Sequence, residues 1–99
     1  MDDTLYVILL HNNPGKHKTG PLVHDHVLHL VELEQQGQLV LCGPFGDYPG
    51  GMVIVRAESY EAAKEIAECD PFVKSGVESY ELRTWGLSHQ GNKHLGVLE

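Results

Sequence analysis

Residues 24–30, HDHVLHL, place three imidazoles and a carboxylate within seven positions. Groups of these types can ligate a metal ion or carry protons near neutral pH. Zinc needs three or four ligands converging from one direction. On a helix His24 and His26 project to nearly opposite sides, and the Asp25 side chain leaves in another direction again. His26 and His29 share a face, but His11, His17, His89 and His94 fall in loops or the tail and supply no clear third ligand. No metal is therefore expected. A solvated, histidine-rich helix accounts well for His24 and His29 and less well for His26. Counted at 3.6 residues per turn from Val23, Val27 and Leu30, His26 lies at the edge of the apolar stripe, where an imidazole can be half covered and oriented by a partner. Spacing alone favours the solvated helix.

Other chemistry is poorly provided for. Ser59, Ser75, Ser79 and Ser88 lack a nucleophile-elbow context, and neither Cys42 nor Cys69 can be placed beside His26 from the sequence. The glycine-rich CGPFGDYPGG, residues 42–51, lacks the lysine and spacing of a phosphate loop. It reads as a turn and a close backbone approach to a ligand, and no cofactor is expected.

Ninety-nine residues make one small domain that a partner surface could complete. A net charge of −7 with seven scattered Lys and Arg gives no basic patch, so nucleic acid and anionic membranes are not expected partners. No apolar run is long enough to span a bilayer, and MDDTLYVILL opens with acids where a signal peptide carries positive charge; a cytoplasmic location is expected. Two cysteines far apart in sequence indicate no disulfide framework.

The elements that must position these groups follow from periodicity. TLYVILLH (4–11) is apolar at both parities and reads as a central strand. Residues 21–36 form the first helix, with Pro21 in its first turn and Gly37 as C-terminal cap. QLVLCGPF (38–45) and GMVIVRAE (51–58) are strands joined by GDYPG. Ser59 caps a second helix that Asp70-Pro71 stops. GVESYELRTW (76–85) is a less buried fourth strand, and residues 86–99 are an extended tail of the same domain. The order βαββαβ predicts an α+β, ferredoxin-like fold: a four-stranded antiparallel sheet with two helices on one face. Because the first three strands are apolar at both parities, the other sheet face is expected to be covered by a second chain in a homodimer.

LYVILL, HVLHLVELEQQGQLVLCGP, GGMVIVRAESYEAAKEIAECDPF and GVESYELRTW together resemble the YciI-like (YCII-related) family of the dimeric α+β barrel superfamily, over Leu5 to Trp85. GP after the second strand and DPF after the second helix carry most of that resemblance. It implies that the histidine seventeen residues before the GP glycine, here His26 before Gly43, pairs with the aspartate of DPF, Asp70, as a catalytic His-Asp dyad. It also implies a small-molecule ligand held near Gly43, Pro44, Phe45 and Phe72. Relatives commonly carry an arginine three residues before that histidine, where this chain has Val23; Lys16, His17 or Lys18 of the first loop is a candidate substitute. The superfamily includes isomerases and cofactor-independent monooxygenases, and one branch of the family dehydrochlorinates a hydroxylated aromatic. The resemblance thus implies cofactor-free lyase or isomerase chemistry, with a non-catalytic ligand-binding or regulatory module as the alternative. Phe45, Tyr48, Phe72 and Tyr80 could rim an aromatic pocket, although packing is the commoner use of each.

Overall fold

The computed structural model describes residues 3–96. Its elements are β1 (Thr4–Asn12), α1 (Gly20–Gln35), β2 (Leu39–Pro44), β3 (Gly50–Val55), α2 (Tyr60–Cys69), α3 (Pro71–Lys74) and β4 (Glu78–Gly86). The strands form one sheet in the order β2-β3-β1-β4, and each neighbouring pair is antiparallel. This is the expected α+β, ferredoxin-like arrangement. Residues 97–99 of the expected tail lie outside the described residues.

Local chemistry accounts for the boundaries. The Thr19 hydroxyl accepts from the Leu22 backbone N–H, and Pro21 occupies the first turn, where its missing N–H has no intrahelical use. Gly37 takes φ +76 and its N–H reaches the Glu34 carbonyl, ending α1 by a left-handed glycine. Ser59 caps α2 by accepting from the Ala62 N–H. The chain does not simply stop at Asp70-Pro71. Proline keeps the preceding Asp70 out of the helical region, at ψ 126, and then opens the short helix α3. At Gly50 the chain crosses so close to β1 that a Cβ would collide with the Leu10 carbonyl oxygen.

Alternation assigns the two sheet faces. Ile8, Leu10, Val53, Val55 and Leu82 face the helices and form the core with Leu33, Ala63 and Ala67. Among large apolar side chains of the opposite face, Leu41 and Trp85 are exposed.

The first helix departs from expectation. Val23 and Val27 are expected to face the core, yet both are exposed, Val27 by 47 %. The inward line runs instead through Leu22, His26, Leu30 and Leu33, of which Leu33 alone is buried. His26 therefore lies within that line and not at its edge. The physical reason is a gap: the N-terminal half of α1 stands off the sheet, and Val23 and Val27 line a cavity beneath it.

Candidate active site

That cavity has a volume of about 500 Å³. Val23, Val27 and Leu30 of α1 form its roof; Leu10 and Val53 of the sheet, with Gly43 and Pro44, form its floor. His26, Phe72, Lys18, Glu78 and Cys42 also reach its wall.

Asp70 is fixed from three directions. Its backbone N–H donates to the Ala67 carbonyl, its own carbonyl accepts from Val73 and Lys74, and its side-chain Oδ1 accepts from the Phe72 N–H at 2.9 Å. The same Oδ1 lies 2.8 Å from His26 Nδ1, in a pair whose side chains are 14 % and 4 % exposed for His26 and Asp70. A carboxylate held this way accepts a proton-bearing Nδ1, which sets the neutral ring to the Nδ1–H tautomer. Nε2 then has no hydrogen-bond partner among the described residues. The ring is also stacked on Phe72, with centroids 4.0 Å apart and planes 12° from parallel. His26 is thus held at one nitrogen and one face while it borders the cavity. Arranged so, an imidazole can take a proton from a bound molecule or return one.

His29, one turn along α1, has its pKa lowered below the ordinary histidine value. Burial is the main cause; the nearby Asp70 opposes it, His26 reinforces it and Glu32 opposes it. His24 is solvated, 3.8 Å from Asp25. Among the described residues no three His, Cys, Asp or Glu side chains gather in a metal-binding cluster.

Two further charged groups meet at the cavity. Glu78 opens β4 opposite Asn12 on the helix-facing side, and its carboxylate, 2 % exposed, pairs with Lys18 Nζ at 2.7 Å. Lys18 arrives from the loop after β1, which is tied to the start of β4 by bonds from Asn13 to the Val77 and Gly76 carbonyls. Its ammonium lies 4.7 Å from the centre of the Phe72 ring. Of the three candidate loop residues, Lys18 is the one on the cavity wall.

Gly43, Pro44 and Phe72 line the cavity together with His26, but Phe45 does not. Strand alternation turns Phe45 to the opposite sheet face, beside Leu41, Met52 and Ile54. Tyr48 and Tyr80 are elsewhere too: Tyr48 bonds His11 and Tyr80 donates to Glu68. Cys42, which sequence reasoning could not bring near His26, shares the cavity with it because the residues at 42 and 44 face the helices. Glu78 was missed altogether, although period two places it on one face with Tyr80 and Leu82. His11 is on β1 and not in a loop, and reaches Glu81 at 2.9 Å. The described part of the tail, residues 87–96, does not line this cavity: His89 pairs with Asp3 and the Leu87 N–H donates to the Asp3 carbonyl.

Residues 4–86 match the family model of the YCII-related domain. The chain belongs to this family. It is similar to an uncharacterised protein, YjpA, of Bacillus subtilis strain 168, at 37 % identity over 65 residues that cover 66 % of this chain and 76 % of YjpA. Among solved structures it resembles 5-chloro-2-hydroxyhydroquinone dehydrochlorinase, TftG, of Burkholderia phenoliruptrix AC1100, in complex with 2,5-dihydroxybenzoquinone. That similarity has a TM-score of 0.65 at 24 % identity, over 90 % of this chain and 99 % of that one. At this identity the likeness establishes the shared fold. Among the described residues no helix is long and apolar enough to cross a membrane.

Proposed function

We propose that this YCII-related protein is a cytoplasmic, cofactor-independent enzyme of lyase or isomerase type acting on a small hydroxylated ring, with His26 as general acid and base and Asp70 as its orienting partner. The observation that carries this reading is the bond between His26 Nδ1 and the buried Asp70 at the edge of an apolar cavity, which leaves Nε2 to the ligand. In an elimination, Nε2 takes a proton from the substrate, the electron pair released expels a leaving group such as chloride, and the imidazolium returns its proton to solvent. The net change is loss of HX, with no oxidant or reductant. Asp70 keeps the ring oriented through both proton transfers.

TftG, which has this fold, is named as a dehydrochlorinase of a chlorinated hydroxyhydroquinone, and its substrate is the first compound to try. Gly43 and Pro44 allow the ligand close to the floor of the cavity, and Phe72 holds the imidazole by stacking. The reading also makes the protein a homodimer through the open sheet face carrying Leu41 and Trp85.

Chloride release from 5-chloro-2-hydroxyhydroquinone tests it, for the wild type and His26→Gln with folding followed by circular dichroism. Expected is release by the wild type and loss of at least about a hundredfold in a folded His26→Gln, the usual scale of general acid–base catalysis. Equal rates in the two proteins contradict the role of His26. Retained binding of the ring without any turnover supports a ligand-binding module instead.

A further inference from the structure

The Lys18–Glu78 pair is not needed for the proton transfer at His26, and its bonding is incomplete. Glu78 uses Oε2 for Lys18, while Oε1 is buried and has no hydrogen-bond partner among the described residues. A buried carboxylate oxygen left unsatisfied is expensive. Lys18 is in the complementary position: an ammonium carries three donors, of which Glu78 takes one and the face of Phe72 attracts another. One acceptor is unused and one donor is spare, on neighbouring side chains that both line the cavity containing His26. The group that satisfies both is a hydroxyl, which accepts with its oxygen and donates with its hydrogen. A carboxylate ligand can only accept, and would meet Glu78 as a like charge.

We propose that Lys18 and Glu78 form the hydroxyl-recognition site of this cavity: a phenolic or enolic hydroxyl of the ligand accepts from Lys18 Nζ and donates to Glu78 Oε1. The inference deepens the proposed function and rests on it, since it assigns the residues that read the ring substituent. Lys18 belongs to a loop and ends in a flexible stem, so it can shift to admit the hydroxyl while Glu78 stays fixed on β4. The wall next to it is the Phe72 ring, which also stacks on His26, so the two sites border one aromatic side chain.

The test uses hydroquinone, its dimethyl ether and benzoate as probes, with binding followed by calorimetry. Lys18→Met leaves a buried carboxylate unpaired and can fail to fold, so the decisive variant is the double substitution Lys18→Met with Glu78→Gln, which removes both charges. Expected is that the wild type binds hydroquinone more tightly than either other probe. The double variant, melting near the wild type, should lose at least about tenfold in hydroquinone affinity, the scale of one hydrogen bond to a charged group, with dimethyl ether binding unchanged. Lys18→Arg should recover part of the loss. Hydroquinone binding that is equal in the two proteins overturns this inference and leaves the role of His26 standing. Benzoate binding as tightly as hydroquinone overturns the hydroxyl assignment. A wild type that binds no hydroxylated ring overturns this inference and the proposed function together, and loss of turnover in His26→Gln with unchanged hydroquinone binding separates the two.

Discussion

Replacing Asp70 should reveal how much the dyad contributes to the fold, and the choice of replacement matters. Both bonds to this side chain arrive at one oxygen: His26 Nδ1 at 2.8 Å and the Phe72 N–H at 2.9 Å share Oδ1. Asn keeps an oxygen at that place and loses only the charge. Ala loses everything. A bond to a charged, nearly buried group is worth about 1.5–3 kcal/mol, and an N-cap about 1 kcal/mol. Asp70→Ala should therefore destabilise by roughly 2–4 kcal/mol, and Asp70→Asn by about 1 kcal/mol, the difference between a charged and a neutral acceptor. Urea denaturation near neutral pH measures this as a shift in midpoint at constant slope. The pairing is isolated by adding His26→Ala: the coupling between positions 26 and 70 should exceed about 1 kcal/mol, since the two side chains are in contact. Equal costs for Asp70→Ala and Asp70→Asn, or additive effects at positions 26 and 70, would contradict a His26–Asp70 bond of this kind.

The folded-state pKa of His29 lies below its unfolded value, so its neutral ring contributes stability that is complete above the unfolded value and is lost as pH falls through the folded one. Between about pH 7 and about pH 5 the wild type should lose more stability than His29→Gln; parallel curves in thermal melts would count against it. Gly50→Ala should destabilise by more than about 1 kcal/mol, because the added carbon meets the Leu10 carbonyl and the strand must move; a melting point like that of the wild type contradicts this. In the proposed homodimer, Leu41→Arg on the exposed sheet face should give a monomer by light scattering where the wild type gives a dimer, and equal masses would remove that face from the interface.

Element order was readable in the sequence because each strand and helix carries its own period and its own stop: Thr19 and Pro21 begin α1, Gly37 ends it, and Ser59 begins α2. Less legible was anything that depends on how closely two elements approach. An apolar stripe at helical spacing does not distinguish a residue packed on a sheet from one lining a gap, so Val23 and Val27 were expected in the core and instead border a cavity. For the same reason His26 was placed at the margin of the helix face when it lies within it. Asp70-Pro71 was read as a stop, whereas the capacity of aspartate to cap the following turn made it the start of α3 and the anchor of the dyad. The pairing of His26 with Asp70 spans 44 residues and entered only through the family pattern, since periodicity says nothing about which loop meets which helix. Phe45 enters with the family resemblance and as a possible aromatic rim, although alternation continued one residue past β2 turns it to the opposite face. Glu78 was passed over because a carboxylate in an alternating strand is normally solvated; its burial depends on Lys18, sixty residues away in the chain.

Proton transfer at His26 requires a free Nε2, which follows only if Asp70 holds Nδ1. Nitrogen-15 NMR of the imidazoles, recorded where the rings are neutral, tests this most directly. For His26 the expected result is a proton on Nδ1 and none on Nε2, with that preference lost in Asp70→Ala and kept in large part in Asp70→Asn. A His26 ring protonated on Nε2, or one whose tautomer ignores the removal of Asp70, would contradict it.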